Sequence, residues 1–109
     1  MSTEYCLVLC TCPDRGSADA LAEALVAERL AACVNILPGL ASVYAWEGQV
    51  ERAEELLLLI KSAASAFPAL EAAIKSRHPY SVPEIIAVPL THGSADYLQW
   101  MNAWLRPAS

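Results

Sequence analysis

A chain of 109 residues is long enough for one hydrophobic core and leaves little room for a second module, so residues 1–109 are read as a single domain. The apolar fraction of 56% exceeds the usual share for a soluble domain and hints at association of copies, although much of the excess is alanine. Seven Lys+Arg against twelve Asp+Glu give a net charge of -5 with no basic cluster, so no nucleic-acid partner is expected.

The first residues, Met1 to Glu4, lack the basic stretch of a signal peptide, and no unbroken apolar run, 56–60 included, comes near the length needed to span a bilayer. A cytoplasmic protein with no membrane partner is therefore expected. Residues 5–12 (YCLVLCTC) are almost continuously apolar, rich in strand formers and closed by Pro13 and Asp14, which predicts a central strand. Ser17 then caps a helix whose stripe is Ala18, Leu21, Ala22, Leu25 and Val26 and which runs to about Leu30. Residues 31–37 (AACVNIL) and 41–46 (ASVYAW) flank Pro38 and Gly39 and together predict one long bent strand. Glu47, Gly48 and Gln49 make a short turn, and residues 50–61 fold back as the other half of a long hairpin. The run 56–60 has no helical stripe, which decides strand over helix there.

Phe67, Leu70 and Ile74 follow helical spacing from near Ser65, and Pro79 requires that helix to stop before His78. Residues 83–90 (PEIIAVPL) predict the last strand, with Pro89 placing it at a sheet edge. Ser94 and Asp96 open a final helix carrying Tyr97, Met101, Trp104 and Leu105. The order βαββαβ followed by a helix predicts an α+β fold, a ferredoxin-like sandwich with an extra C-terminal helix and a long central hairpin.

Four cysteines, Cys6, Cys10, Cys12 and Cys33, are expected as thiols in a reducing compartment, and none sits in the CxxC spacing of a zinc ribbon or finger. Cys6, Cys10 and Cys12 share parity, so one face of the first strand carries all three, with Leu7, Leu9 and Thr11 on the other. Strand positions two apart lie roughly 6.5 to 7 Å apart, too wide for a comfortable Cys10–Cys12 disulfide, though still close enough to share a soft ion. Buried cysteines also serve as small hydrophobes, the role expected of Cys6 and Cys33. The chain has no Gly-x-Ser-x-Gly elbow, Walker loop or paired-carboxylate motif, so no enzymatic activity is expected. Cys10 with His78 is the one conceivable nucleophile and base, and the apolar flanks of Cys10 argue against a reactive thiolate.

The segments ACVN (32–35), SVYAWEGQVE (42–51), IK (60–61), HPYSVPEIIAVPLTHG (78–93) and YLQW (97–100) run in order through nearly the whole chain. In this combination, Tyr-x-Trp-x-Gly followed by His-Pro-Tyr-x-x-Pro-Glu, the sequence resembles the CutA divalent-cation tolerance family. The resemblance implies a ferredoxin-like protomer, a homotrimer built by strand contacts between subunits, and a link to copper and other divalent ions. The architecture is similar to that of the trimeric PII signalling proteins. That supplies an alternative: a PII-like regulator that binds a small molecule at subunit interfaces and signals to a partner protein.

By the same resemblance, Cys10 stands at the copper-binding thiol of a Leu-Cys-Thr motif and His78 at one of two adjacent histidines before Pro-Tyr. Arg77 occupies the other histidine position, and a permanently protonated guanidinium cannot ligate a metal. Cys12 compensates only if the ion sits near the strand end. Tyr44, Trp46, Glu51, Glu55, Lys61, His78, Tyr80, Glu84 and Trp100 match the family's polar and aromatic signature. They read either as a ligand cleft or as interface anchors with buried ion pairs, with Lys61 and Glu84 the expected pair. Trp46 and Trp100 are expected to be buried in the assembled state, and His92 to be a solvated loop residue.

Overall fold

The computed structural model describes residues 4–107. The elements follow the expected order: β1 (Tyr5–Cys12), α1 (Arg15–Ala27), β2 (Cys33–Trp46), β3 (Gln49–Ala63), α2 (Phe67–Arg77), β4 (Ile86–Pro89) and α3 (Ala95–Trp104). One antiparallel sheet has the strand order β2-β3-β1-β4. Each of the two helical crossovers therefore skips one strand, which is the split βαβ arrangement of the ferredoxin-like fold.

The strict alternation of β1 fixes the layers. Cys6, Val8, Cys10 and Cys12 are buried on one face, where they meet Leu21 and Leu25 of α1, Leu58 and Ile60 of β3, and Leu70 and Ile74 of α2. Leu7 and Leu9 point to the opposite face and are only half-buried. Ser62 is the polar residue inside this core, and its hydroxyl donates to the Leu30 carbonyl at 2.6 Å, which removes the cost of burying it.

The ends of α1 differ from expectation. Asp14, not Ser17, is the N-cap, and its carboxylate accepts the Ser17 amide at 2.7 Å. Both residue types cap helices, and the carboxylate three positions upstream of Ser17 reaches the free N–H groups of the first turn. The helix closes at Ala27 rather than near Leu30, because Arg29 takes the left-handed conformation (φ 61) and the amides of Arg29 and Leu30 return to Val26 and Leu25. The Arg29 guanidinium then lies 4.1 Å from the Trp104 ring, whose Nε1–H donates to the Val26 carbonyl at 2.8 Å. This pins α3 to the end of α1. Ser94 caps α3 as expected, accepting the Tyr97 amide at 3.3 Å.

The hairpin of β2 and β3 extends well past the end of β1. β1 pairs with β3 only from Leu56 to Ala63, so the segments 40–46 and 49–55 pair with each other alone and form a two-stranded arm. The arm ends in a two-residue turn, with Glu47 at φ 49 and Gly48 at φ 77, the doubly left-handed conformation that matches strand twist. At its base, Leu37 pairs with Leu57 but Leu40 pairs with Glu55, so β2 carries one extra residue at Pro38 and Gly39, a bulge with Gly39 at φ 82. Beyond the bulge, Leu40, Ser42, Tyr44 and Trp46 pair with Glu55, Ala53, Glu51 and Gln49. Carried along the alternation of β3, this puts Tyr44 and Trp46 on the side of Leu57 and Leu59, away from the helices.

The last strand is shorter than expected. Only Ile86–Pro89 pair with β1, and residues 83–85 lie outside the strand. As expected, β4 is an edge strand that ends at Pro89, whose missing N–H cannot continue a ladder.

Candidate metal centre

Strand parity brings Cys10 and Cys12 side by side at the end of β1, and Pro79 supplies the third group. A residue before proline is driven out of the helical region, and His78 accordingly leaves α2 in an extended conformation (φ -78, ψ 139), which turns its ring back toward β1. The Sγ atoms of Cys10 and Cys12 and a ring nitrogen of His78 lie within 4.8 Å of one another. Both sulfurs are fully buried and His78 is half-buried. Cys12 is the thiol in direct reach of the imidazole, 3.8 Å from Nε2. The donor set is soft, with two thiols and an imidazole and no carboxylate in the cluster among the described residues, which suits copper or zinc rather than calcium or magnesium.

The imidazole is held by two main-chain groups. Its Nε2 lies 2.7 Å from the Thr11 carbonyl oxygen, and its Nδ1 lies 3.1 Å from the Tyr80 amide nitrogen. A carbonyl only accepts and an amide only donates, so Nε2 carries the proton and Nδ1 the lone pair. The Tyr80 ring lies against the imidazole at 4.9 Å between centroids, and its hydroxyl donates to Glu55 at 2.7 Å. Glu55 is 6% exposed, and this bond gives its carboxylate a partner. Burial first, then the bond to Glu55, pushes the Tyr80 phenol well above its ordinary range.

The Cys10 thiol donates to the Thr11 carbonyl at 3.8 Å. The neighbouring Cys12 thiol, then burial, hold the proton on Cys10 well above the ordinary thiol range, and the same neighbour draws the Cys12 thiol below it. Arg77 turns its guanidinium to Glu28, just past the end of α1, and to the Ala73 carbonyl. The charge is therefore answered at the surface rather than left bare beside the thiols.

The remaining signature residues do not form one cleft within the protomer. Tyr44, Trp46 and Glu51 are on the arm, where Tyr44 faces Glu51 across the strands. Tyr80 and Glu55 close over His78. Lys61 donates to the Tyr97 hydroxyl at 3.4 Å, and Tyr97 stacks on Trp100 with centroids 5.4 Å apart. The expected Lys61–Glu84 ion pair is not formed among the described residues. Lys61 goes to Tyr97, which sequence reasoning assigned only to the helix. Trp46 and Trp100 are 45% and 52% exposed in the protomer. Cys6 is a core residue as expected, whereas Cys33 is only half-buried and donates to Asn35 Oδ1 at 3.8 Å. His92 is exposed beside Thr91. Among the described residues, no helix is long and apolar enough to cross a membrane.

Comparison with known proteins bears on this site. The family described as CutA1 divalent ion tolerance protein matches residues 6–104. The chain is 53% identical over 96 residues to the divalent-cation tolerance protein CutA of Thermus thermophilus, covering 88% of this chain and 93% of that one. It superposes on CutA1 of the psychrotrophic bacterium Shewanella sp. SIB1 with a TM-score of 0.94 at 37% identity, covering 98% of this chain and all (100%) of the other. A CutA of Archaeoglobus fulgidus, described as a periplasmic divalent cation tolerance protein, gives 0.91 at 31% identity, covering 94% and 99% of the two chains.

Proposed function

Since the chain belongs to the CutA1 divalent ion tolerance family, we propose that it is a copper-binding cation-tolerance protein that acts as a homotrimer, with Cys10 and His78 at the metal site. The observation that carries this reading is the buried thiol–imidazole cluster at the end of β1. Thiolate softness favours copper among the ions such a site can take, and both donors are held in place by main-chain and core contacts. The role is binding rather than catalysis, because both sulfurs are sealed from solvent where a nucleophile would need an open approach. Four free thiols support a reducing compartment, the cytoplasm.

The trimer is supported by the face of the sheet turned away from α1 and α2. Leu37, Tyr44, Trp46, Ile86 and Val88 are exposed there, and the arm is a two-stranded ribbon, a structure marginal in water on its own. Three copies laid face to face cover this surface and bury Trp46 and Trp100.

Anaerobic titration with copper in competition with a chromophoric chelator tests the metal site. One ion per subunit is expected, with affinity that falls on Cys10→Ser and rises with pH as the metal displaces thiol protons. Unchanged affinity in Cys10→Ser would move the site elsewhere. Light scattering at micromolar concentration should give three times the protomer mass, and a monomeric mass would remove the trimer.

A further inference from the structure

The hydrogen bonds of His78 bear on which groups can hold the ion. Its Nδ1 lone pair is taken by the Tyr80 amide and its Nε2 position by the proton given to Thr11, so in this arrangement the ring offers no free donor. Using Nε2 as a ligand moves the remaining proton to Nδ1, where it meets the Tyr80 N–H, donor against donor. The loop must shift before His78 can join. The sulfurs carry no such restriction. Cys10 and Cys12 project from the same face of a rigid central strand, both 0% exposed, within 4.8 Å of each other and of the ring.

We propose that Cys12 is itself a metal ligand, and that Cys10 and Cys12 together form a two-thiol site selective for monovalent copper, with His78 as a secondary donor. This rests on the copper-binding reading above and deepens it. A monovalent soft ion is satisfied by few ligands of sulfur and nitrogen type, whereas structural zinc takes four and magnesium or calcium six or more oxygens. The cluster holds three such groups and no carboxylate among the described residues, and the nearby Glu55 is already engaged by Tyr80. Entry of the ion involves no electron transfer: two S–H bonds are replaced by two S–Cu bonds and two protons leave to solvent.

The test uses the whole chain loaded with Cu(I) under ascorbate without oxygen, titrated against bicinchoninate, and examined by X-ray absorption at the copper edge. Two sulfur neighbours are expected in the wild type and one in Cys12→Ser. Affinity should fall in Cys12→Ser as much as in Cys10→Ser, by at least the roughly 10–100-fold already lost with an outer-shell partner. His78→Ala should lose less than either, and Cys33→Ser nothing. Wild-type affinity in Cys12→Ser with copper lost from Cys10→Ser would overturn the proposal and leave copper binding standing. Copper held equally by all variants, or by none including the wild type, would sink both. If the cysteine variants fail to fold by circular dichroism, the sulfur count of the wild type decides alone, one sulfur overturning the proposal and two supporting it.

Discussion

On the helix-bearing face of the sheet, Val8, Leu58 and Ile60 meet Leu25, Leu70 and Ile74 with no solvent access at all, while on the opposite face Leu37, Trp46, Ile86 and Val88 stand in solvent. The same strands supply both surfaces through alternate residues, so hydrophobicity alone does not distinguish them. One face is closed by α1 and α2, and the other, which α3 touches at Lys61, leaves these apolar side chains exposed. The first makes the protomer fold, and the second determines what the folded protomer does next.

The contrast has energetic consequences that can be measured. Ile74→Ala on the closed face removes fully buried methyl groups and should cost about 2–5 kcal/mol in urea unfolding, at every protein concentration. A cost that changed with concentration would mean that this face, too, depends on assembly. Next in size is the boundary where β3 leaves the body for the arm. Tyr80→Phe strands the buried Glu55 carboxylate and should cost about 1–3 kcal/mol, and adding Glu55→Met should recover part of that loss. If the double variant is less stable than Tyr80→Phe alone, the bond between them is not what holds the loop.

On the open face, Ile86→Asp should change the stability of the isolated protomer by no more than about 0.5 kcal/mol, since the residue is exposed there. It should nevertheless lower the mass seen by light scattering and make Trp46 and Trp100 accessible to iodide. Unaltered mass would show that β4 is not at a contact. The smallest effect lies outside both faces. The Ser17 amide and hydroxyl hold the Asp14 carboxyl below its usual range, so its cap is complete above the unfolded value of about 3.9 and is lost as pH falls through the lower folded value. The difference in urea midpoint between wild type and Asp14→Ala should thus be flat above about pH 5 and shrink in stronger acid.

What was legible in the sequence is what depends on near neighbours along the chain. The parity of Cys6, Cys10 and Cys12, the bend at Pro38 and Gly39, the turn at Gly48 and the edge at Pro89 each follow from a local rule, and the structure has all four. His78 leaving the helix before Pro79 was equally local, and it positions the ring. The partner of Lys61 was not legible, because Tyr97 reaches it from 36 residues away, over a path set by the docking of α3. Nor was the choice of Asp14 over Ser17, two competent caps in one short stretch. Cys12 carried a signal, its shared face with Cys10 at the strand end, but only the course of the loop shows that it lies in reach of the imidazole. The Thr11 carbonyl, a backbone group, carried none.

The bulge at Pro38 and Gly39 makes the arm a phase-locked element. Because one residue of β2 goes unmatched there, the arm runs half a pleat out of step with the body, and that offset alone assigns Tyr44 and Trp46 to the open side. Its length can therefore drift only in matched pairs, one residue from each strand, taken two at a time to keep the aspect of the tip. Flattening the bulge so that Gly39 rather than Leu40 met Glu55 would slip every pairing beyond it by one residue, presenting Val43 and Ala45 where the aromatics now stand. Insertions and deletions among relatives should accordingly be even-numbered on each side of the tip.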